Sequence, residues 1–141
     1  MDYKEMIDVR QRMRGMNRHV GVRVVEITEG GAVAELDLTP QTLNPLGNAH
    51  GGAIFTLCDS AAGSAAASRG RIAVTLSGSI NYLRPGRAGK TLRAVASELK
   101  SGRNTAVYTV DVYDTDGTLV SNCTFTMFYT GQTVDEVWAA D

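Results

Sequence analysis

The segment from Gly51 to Ser68 most constrains the fold, because small residues fill most of it and no proline interrupts it. A helix of about 3.6 residues per turn would place a continuous stripe of apolar side chains on one face. These residues are Ile54, Leu57, Cys58, Ala61, Ala62 and Ala65. The opposite face would carry Gly52, Thr56, Asp59 and Gly63. We therefore predict one long helix whose apolar face packs on a sheet.

Strand patterns surround this helix. Segments rich in Val and Ile, or alternating between apolar and polar residues, predict strands at 20–28, 32–40, about 71–83, 90–100, 104–114 and 118–130. Residues 2 to about 17 predict a short amino-terminal helix, with Met6, Val9 and Met13 at helical spacing. This order predicts a single α+β domain over residues 1–141, in which an antiparallel sheet covers the central helix.

Composition and charge exclude several classes of protein. The formal net charge is −1, which predicts no general attraction to nucleic acid. No apolar run approaches the roughly 18 residues that a membrane span needs, and the amino-terminal MDYKEMIDVRQRMRGMN lacks the apolar core of a signal peptide. We therefore expect a cytoplasmic protein with no membrane contact.

The two cysteines, Cys58 and Cys123, are far apart and lack the spacing of metal ligands. We expect both to be buried, reduced thiols. With only two His and two Cys in the chain, we also expect no His/Cys metal site. A catalytic thiolate at Cys58 is the alternative, although the residue falls on the apolar face of the predicted helix.

The basic residues are unevenly distributed. Between Ser60 and Arg103 there are eight bases and one acid, Glu98, whereas six acids and no base follow from Asn104 onwards. A solvated surface accounts for such a run. A local site for phosphate groups accounts for it equally well.

Asp59 and the start of the central helix are the strongest candidates for chemistry. The first N–H groups of a helix have no intrahelical partner and lie at the positive end of its dipole, so they can bind a developing oxyanion. Gly51 and Asp59 are eight residues apart, which is about 12 Å along a helix. One carbonyl group cannot touch both in a single chain, so a catalytic interpretation predicts a two-fold homodimer with shared sites. The structural alternatives are a solvated aspartate and an ordinary tight turn.

Loop and helix also carry a recognisable pattern. NPLGNAHGG followed by DSAAG, with nine residues from His50 to Asp59, resembles the hotdog-fold acyl-CoA thioesterases of the phenylacetic-acid-degradation type. TLSGSINYLRP and LKSGRNTAVYTVDVYDTDGTLVSNCTFTMF resemble strands of that family. The resemblance covers roughly residues 15–130. It implies a hotdog fold, a long helix wrapped by an antiparallel sheet, and dimers that usually pair into homotetramers.

The resemblance also implies roles for single residues. Asp59 would act as nucleophile or as general base on water, and the Gly51 N–H would polarise the thioester carbonyl. Asn44 would position the water or the thioester, His50 would orient the loop, and Thr75 would help to hold the water. The CoA phosphates would contact the basic segment, for which the candidates are Arg84, Arg87, Lys100 and Arg103. The substrate would be an aryl, arylacetyl or medium-chain acyl-CoA, and no cofactor is implied because CoA is part of the substrate.

Two other functions stay open. A hotdog hydratase or dehydratase would pair the aspartate with a histidine a few residues later, but the residues here are Ser60, Ala61, Ala62, Gly63 and Ser64. A non-catalytic acyl-CoA binder would have the same fold and would not need Asp59 as a catalyst. An Asp59→Asn exchange separates catalyst from binder, since only a catalyst would lose turnover.

Overall fold

The computed structural model of the chain describes residues 1–140. Within them the chain forms four α-helices and six strands, with a short 3-10 helix at Pro40–Thr42. The helices are α1 (Tyr3–Arg12), α2 (Met16–Val20), α3 (Gly51–Ala67) and α4 (Val134–Trp138). The strands are β1 (Arg23–Thr28), β2 (Gly31–Asp37), β3 (Arg71–Tyr82), β4 (Thr91–Ser101), β5 (Thr105–Tyr113) and β6 (Leu119–Thr133).

All six strands belong to one antiparallel sheet, in the order β1-β2-β4-β5-β6-β3. Helix α3 contacts every strand of this sheet, and the apolar face predicted for it is buried at each position. The α+β class and the long helix wrapped by an antiparallel sheet are thus confirmed. This is the arrangement that the hotdog resemblance implied.

Small side chains allow the sheet to approach α3 closely. Ala61, Ala62 and Ala65 are fully buried, and the strands supply the larger side chains opposite them. Along β5, for example, Tyr108 and Val110 alternate inward and are fully buried. Because the helix contributes little volume, bulky strand residues fill the space between the layers to interior density.

The amino-terminal region differs from the prediction. The sequence predicts one helix to about residue 17, but α1 ends at Arg12 and α2 begins at Met16. Gly15 separates the two helices with a φ of 106°, which other residues rarely adopt. Gly21, with a φ of 100°, then ends α2. Strand β1 therefore begins at Arg23 rather than at residue 20.

Two further boundaries were predicted wrongly. Strand β2 ends at Asp37 and not at residue 40, because Pro40 starts the 3-10 helix. Strand β6 continues to Thr133 instead of ending at residue 130. The Thr133 hydroxyl then accepts a hydrogen bond from the Glu136 N–H and so caps α4.

Strand β3 forms one edge of the sheet and pairs only with β6 over the described chain. Its 12 residues are mostly exposed, including Val74 at 50% and Leu76 at 59% of their full surface. A long edge strand with exposed apolar side chains is a surface on which another strand can pair. In the part of the chain that is described, no helix is both long and apolar enough to cross a membrane.

Candidate active site

Asp59 is held by a neighbouring strand. The Thr75 hydroxyl on β3 donates a hydrogen bond of 2.6 Å to Asp59 Oδ1. The second carboxylate oxygen, Oδ2, has no hydrogen-bond partner within residues 1–140. Asp59 is half-buried on α3, so its free oxygen faces a solvent-accessible space. Such an oxygen is available to accept a proton or to attack an electrophile.

That space is a cavity of about 550 Å³, which we call the Asp59 cavity. Asp59 and Thr75 line it beside residues of α1, α2, α3, β3, β6 and α4. Apolar side chains such as Ile72, Met127 and Trp138 form part of the wall. A concave, partly open space that combines apolar walls with a few polar groups is typical of a small-molecule site.

Gly51 presents the first N–H of α3. The next two N–H groups of the helix are already used, because Gly52 N–H donates to His50 Nδ1 at 2.8 Å and Ala53 N–H donates to the His50 carbonyl. The Gly51 N–H has no acceptor among the described residues. It is therefore the backbone donor that this helix start leaves free for an oxyanion.

His50 acts as the N-cap residue of α3. Its Nδ1 accepts the Gly52 N–H, and its own backbone N–H donates to the Thr42 carbonyl at 2.8 Å. These two bonds tie the loop to the helix start. The role of His50 in orienting this loop for catalysis stays a prediction.

Tyr82 is a residue that the sequence did not single out. Tyr82 is 52% exposed, and its hydroxyl donates to the Gly51 carbonyl at 2.7 Å. Partial burial raises the pKa of Tyr82, which keeps the hydroxyl protonated and able to donate. The Gly51–Gly52 peptide group is thus fixed at its carbonyl by Tyr82 and at its N–H by His50.

Asn44 organises the loop that precedes α3. Its side-chain oxygen accepts hydrogen bonds from the Leu46 and Asn48 N–H groups at 3.0 and 3.1 Å. Its side-chain amide nitrogen has no partner in the described part of the chain. Asn44 therefore fixes the loop through its side-chain oxygen and leaves both N–H donors of its side-chain amide free.

Within one chain the predicted catalytic residues lie in two separate spaces. Asn44, Gly51 and Tyr82 line a second space of about 380 Å³, which we call the Gly51 cleft. None of the residues that line it also lines the Asp59 cavity. The structure thus brings Asp59 together with Thr75, and Asn44 together with Gly51, but it does not join the two pairs.

The four candidate phosphate-binding residues also fall into two groups. Arg84 lines the Gly51 cleft, and Arg87 follows it in the loop before β4. Lys100 and Arg103 lie at the other end of β4, a strand of 11 residues that spans about 35 Å. All four are exposed. They do not form one basic cluster within a chain.

Arg10 is the second residue that the sequence analysis missed. It lines the Asp59 cavity from α1 and donates to Ser64 Oγ at 3.2 Å and to Ser60 Oγ at 3.0 Å. Burial lowers the pKa of its guanidinium, and the charge of Asp59 acts in the opposite direction. A signal was present, because Arg10 follows Met6 by four residues and so shares the apolar face of α1.

Cys58 and Cys123 are both fully buried and unbridged, as expected. A hydrogen bond that the Cys58 thiol makes to Cys123, together with burial, holds the pKa of Cys58 far above its ordinary value. A reactive thiolate needs the opposite environment. The geometry therefore leaves no catalytic role for Cys58.

Comparison with known families and sequences gives consistent matches. A family model described as thioesterase superfamily matches residues 46–121. The chain is 39% identical over 93 residues to acyl-coenzyme A thioesterase PaaI of Escherichia coli K12. That match covers 66% of this chain and 66% of the relative, so it spans about two thirds of each.

Solved structures of two further relatives extend the comparison. A Streptococcus mutans UA159 protein bound to acetyl-CoA superimposes with a TM-score of 0.79 at 38% identity, over 86% of this chain and 96% of that one. A hypothetical thioesterase of Streptococcus pneumoniae TIGR4 has a TM-score of 0.75 at 39% identity, over 79% of this chain and 92% or 91% of the two variants solved. Those variants replace an aspartate or a threonine 16 residues after it by alanine. Asp59 and Thr75 are also 16 residues apart.

Proposed function

Because the chain belongs to the thioesterase superfamily, we propose that it hydrolyses acyl-CoA thioesters to a free acid and CoA. Asp59 is the catalytic carboxylate, and the Gly51 N–H of a partner subunit is the oxyanion donor. The observation that carries the proposal is the Thr75–Asp59 hydrogen bond beside the Asp59 cavity. The same aspartate–threonine spacing in the variants of the Streptococcus pneumoniae relative supports it.

The proposed chemistry uses the free oxygen of Asp59. A water molecule gives a proton to Asp59 Oδ2 while its oxygen attacks the carbonyl carbon of the thioester. Negative charge develops on the carbonyl oxygen, and the Gly51 N–H stabilises it. The C–S bond then breaks, CoA leaves as a thiol with the proton from Asp59, and the free acid remains.

A covalent route has the same products. Asp59 would attack the carbonyl itself, CoA would leave, and water would then hydrolyse the mixed anhydride. Single-turnover hydrolysis in ¹⁸O-labelled water distinguishes the two routes, since only the covalent one can incorporate label into Asp59. Asn44 and Thr75 orient the water or the thioester in either case.

The shared site rests on the two separate spaces of one chain. Thr75 contacts Asp59 near one end of β3, and Tyr82 contacts Gly51 at the other end. A two-fold axis near Gly78, between these contacts, would pair the exposed β3 edges antiparallel. It would also bring the Asp59 cavity of one subunit to the Gly51 cleft of its partner. Pairing of such dimers into tetramers is implied by the family resemblance alone.

Subunit complementation tests activity and shared site together. Asp59→Asn removes the carboxylate. Gly51→Pro removes the N–H at the first helical position, where the backbone accepts proline, and the exposed Tyr82 ring, 3.0 Å from an added Cβ, has to shift slightly. Each variant alone should release almost no CoA from a panel of aryl, arylacetyl and medium-chain thioesters. After unfolding and refolding in a 1:1 mixture, half of the dimers would be mixed, and each would hold one intact site. We expect recovery of about one quarter of wild-type activity.

Two results would contradict the proposal. If the refolded mixture stays inactive while wild type treated alike recovers, the site does not combine Asp59 and Gly51 from different chains. If wild type hydrolyses no thioester in the panel but binds the same thioesters by calorimetry, the chain is a binder and not a hydrolase.

A further inference from the structure

The polar end of the Asp59 cavity has no role in the proposed hydrolysis. It consists of Arg10 on α1, Asn17 on α2 and Ser60 on α3, which all line the cavity. Arg10 and Asn17 converge on one atom, because both donate to Ser60 Oγ, at 3.0 and 2.7 Å. Three helices are thus positioned around one small polar group.

This end of the cavity has more hydrogen-bond donors than acceptors. A guanidinium carries five N–H groups, and Arg10 uses three of them, on Ser60, Ser64 and the Met13 sulfur. Ser60 Oγ accepts two bonds, and its own proton has no acceptor among residues 1–140. The unused donors call for an oxygen that can accept from several of them at once.

The charges of the cavity are also unequal. Arg10, Arg14 and Asp59 are its ionisable lining residues, which leaves one positive charge in excess. No carboxylate of the described chain lies within ion-pair distance of Arg10. Arg10 is partly buried, and even a partly desolvated cation is costly when no anion is paired with it. If Arg10 served only to join α1 to α3, a neutral donor would be less costly.

The position of the guanidinium is well fixed. Its central carbon lies 5.6 Å from the centre of the buried Trp138 ring, a distance at which a cation and an aromatic face attract. The bonds to Ser60 and Ser64 fix its remaining orientation. A planar, preorganised guanidinium matches the two oxygens of a carboxylate.

We propose that Arg10, with Ser60 and Asn17, binds a carboxylate at the far end of the acyl group, so that the preferred substrates are CoA thioesters of dicarboxylic acids. The inference rests on the proposed function and narrows its substrate class. The carboxylate would neutralise the excess charge and accept the unused donors. The apolar walls from Ile72, Met127 and Trp138 would contact the carbon skeleton between the two ends.

A pair of substrates that differ only at the far end tests this assignment. 4-Carboxyphenylacetyl-CoA and 4-methylphenylacetyl-CoA have the same skeleton, and adipoyl-CoA and hexanoyl-CoA form an aliphatic pair. For wild type we expect kcat/KM to be about tenfold or more higher for the carboxylated member of at least one pair, as one charge-assisted bidentate contact allows. In Arg10→Met, the kcat/KM for the carboxylated member divided by that for the uncharged member should fall to one or below.

Two other variants separate recognition from folding. Arg12→Met makes the same exchange at an exposed position of α1 outside the Asp59 cavity, and it should keep the wild-type ratio. Ser60→Ala keeps the charge and removes one bond to Arg10, so it should lower the ratio by a smaller factor. Equal rates for both members of each pair in wild type, or a ratio that Arg10→Met leaves unchanged, would overturn the inference.

A binding measurement keeps the inference separate from the hydrolase proposal. Calorimetry on Asp59→Asn compares the affinities for the two members of each pair without turnover, and Asp59→Asn/Arg10→Met supplies the control. Preference for the carboxylated thioester that disappears with Arg10 supports the inference even if wild type hydrolyses nothing. Hydrolysis of both members without any preference retains the hydrolase proposal and overturns the inference.

Discussion

Asp59 depends on a single hydroxyl for its orientation. Thr75 Oγ1 donates to Asp59 Oδ1 at 2.6 Å and thereby fixes the carboxylate plane relative to the cavity. Because Thr75 is exposed on an edge strand, the hydroxyl contributes little to the core. Its removal should therefore affect catalysis far more than folding.

We expect Thr75→Val to lower kcat ten- to a hundredfold, since a hydrogen bond to a charged group is worth about 1.5–3 kcal/mol. Thr75→Ser keeps the hydroxyl and should stay within a few-fold of wild type. Steady-state kinetics on the best thioester gives kcat and KM for both variants. A Thr75→Val protein that keeps wild-type kcat would show that the hydroxyl bond to Asp59 does not matter for catalysis, and a loss confined to Thr75→Ser would assign the effect to the methyl group.

At the scale of residues, the sequence showed which residues were candidates for the site better than it showed which residues contact one another. Asp59, Gly51 and His50 stand out because helix geometry and a family pattern both point to them. Tyr82 and Arg10 carry no such pattern, since their importance arises from segments 31 and 50 residues away that meet only in the folded chain. A tyrosine in a strand and an arginine in a helix are ordinary until those partners are known.

Helix α3 has an unusual cap. A histidine Nδ1 and not a serine, threonine or aspartate oxygen accepts the Gly52 N–H at its start. The cap holds the helix start in the conformation that exposes the Gly51 N–H. The cap and the proposed oxyanion donor are therefore neighbouring parts of one element.

His50→Ala should lower the free energy of unfolding by about 1 kcal/mol, the usual cost of losing a side-chain cap. His50→Asn places another good capping residue there and should recover most of the loss. Urea denaturation followed by circular dichroism measures all three proteins. Identical midpoints for wild type and His50→Ala would mean that the Nδ1 contact does not stabilise the helix.

The middle of strand β3 has no space for a side chain at Gly78. A Cβ built on Gly78 would lie 2.6 Å from Phe125 Cε1 and 2.9 Å from Phe55 Cζ. These two rings pack against each other with their centres 5.3 Å apart, so neither can move away freely. The glycine lets the strand pass closely over α3.

Gly78→Ala should therefore destabilise the protein by about 1–3 kcal/mol, which is typical of overpacking. Ser79→Ala introduces the same side chain at the next, exposed position and should change stability by less than about 0.5 kcal/mol. Chemical denaturation compares the two variants. A Gly78→Ala protein as stable as wild type would show that the two rings adjust at little cost.

At the scale of elements, the central helix and all six strands were predictable because their patterns span many residues. The errors fall at boundaries that a single residue determines. Gly15 and Gly21 are examples, because their positive φ angles separate α1 from α2 and end α2. Sequence periodicity reports which face of an element is buried. It does not report where one glycine turns the chain.

At the scale of the whole molecule, the exposed edge of β3 is the surface through which we propose that two subunits pair. The order of the sheet leaves this edge unpaired in one chain, and the two halves of the proposed site lie in separate spaces. From the sequence, the distance between Gly51 and Asp59 predicted the need for a second chain. The edge strand that would join the subunits could be located only once the strand order was known.

Leu76→Lys should weaken subunit association at least tenfold, because Leu76 is 59% exposed on the β3 edge and a lysine there would lose its water on pairing. Leu99→Lys is the matched control, since Leu99 is 65% exposed on β4, away from that edge. Sedimentation velocity gives the association state, and activity should fall as dimers dissociate. A Leu76→Lys protein that remains dimeric and active would place the subunit contact elsewhere.

If each active site is shared between two subunits as proposed, the division of its groups between two spaces has a genetic consequence. A cell that makes wild-type chains and chains lacking only Asp59 would still form mixed dimers with one working site, so the defect would be recessive. A chain lacking both Asp59 and the Gly51 N–H would inactivate both sites of every dimer it joins. Two lesions in one allele would thus be dominant, whereas the same lesions in separate alleles would partly complement each other.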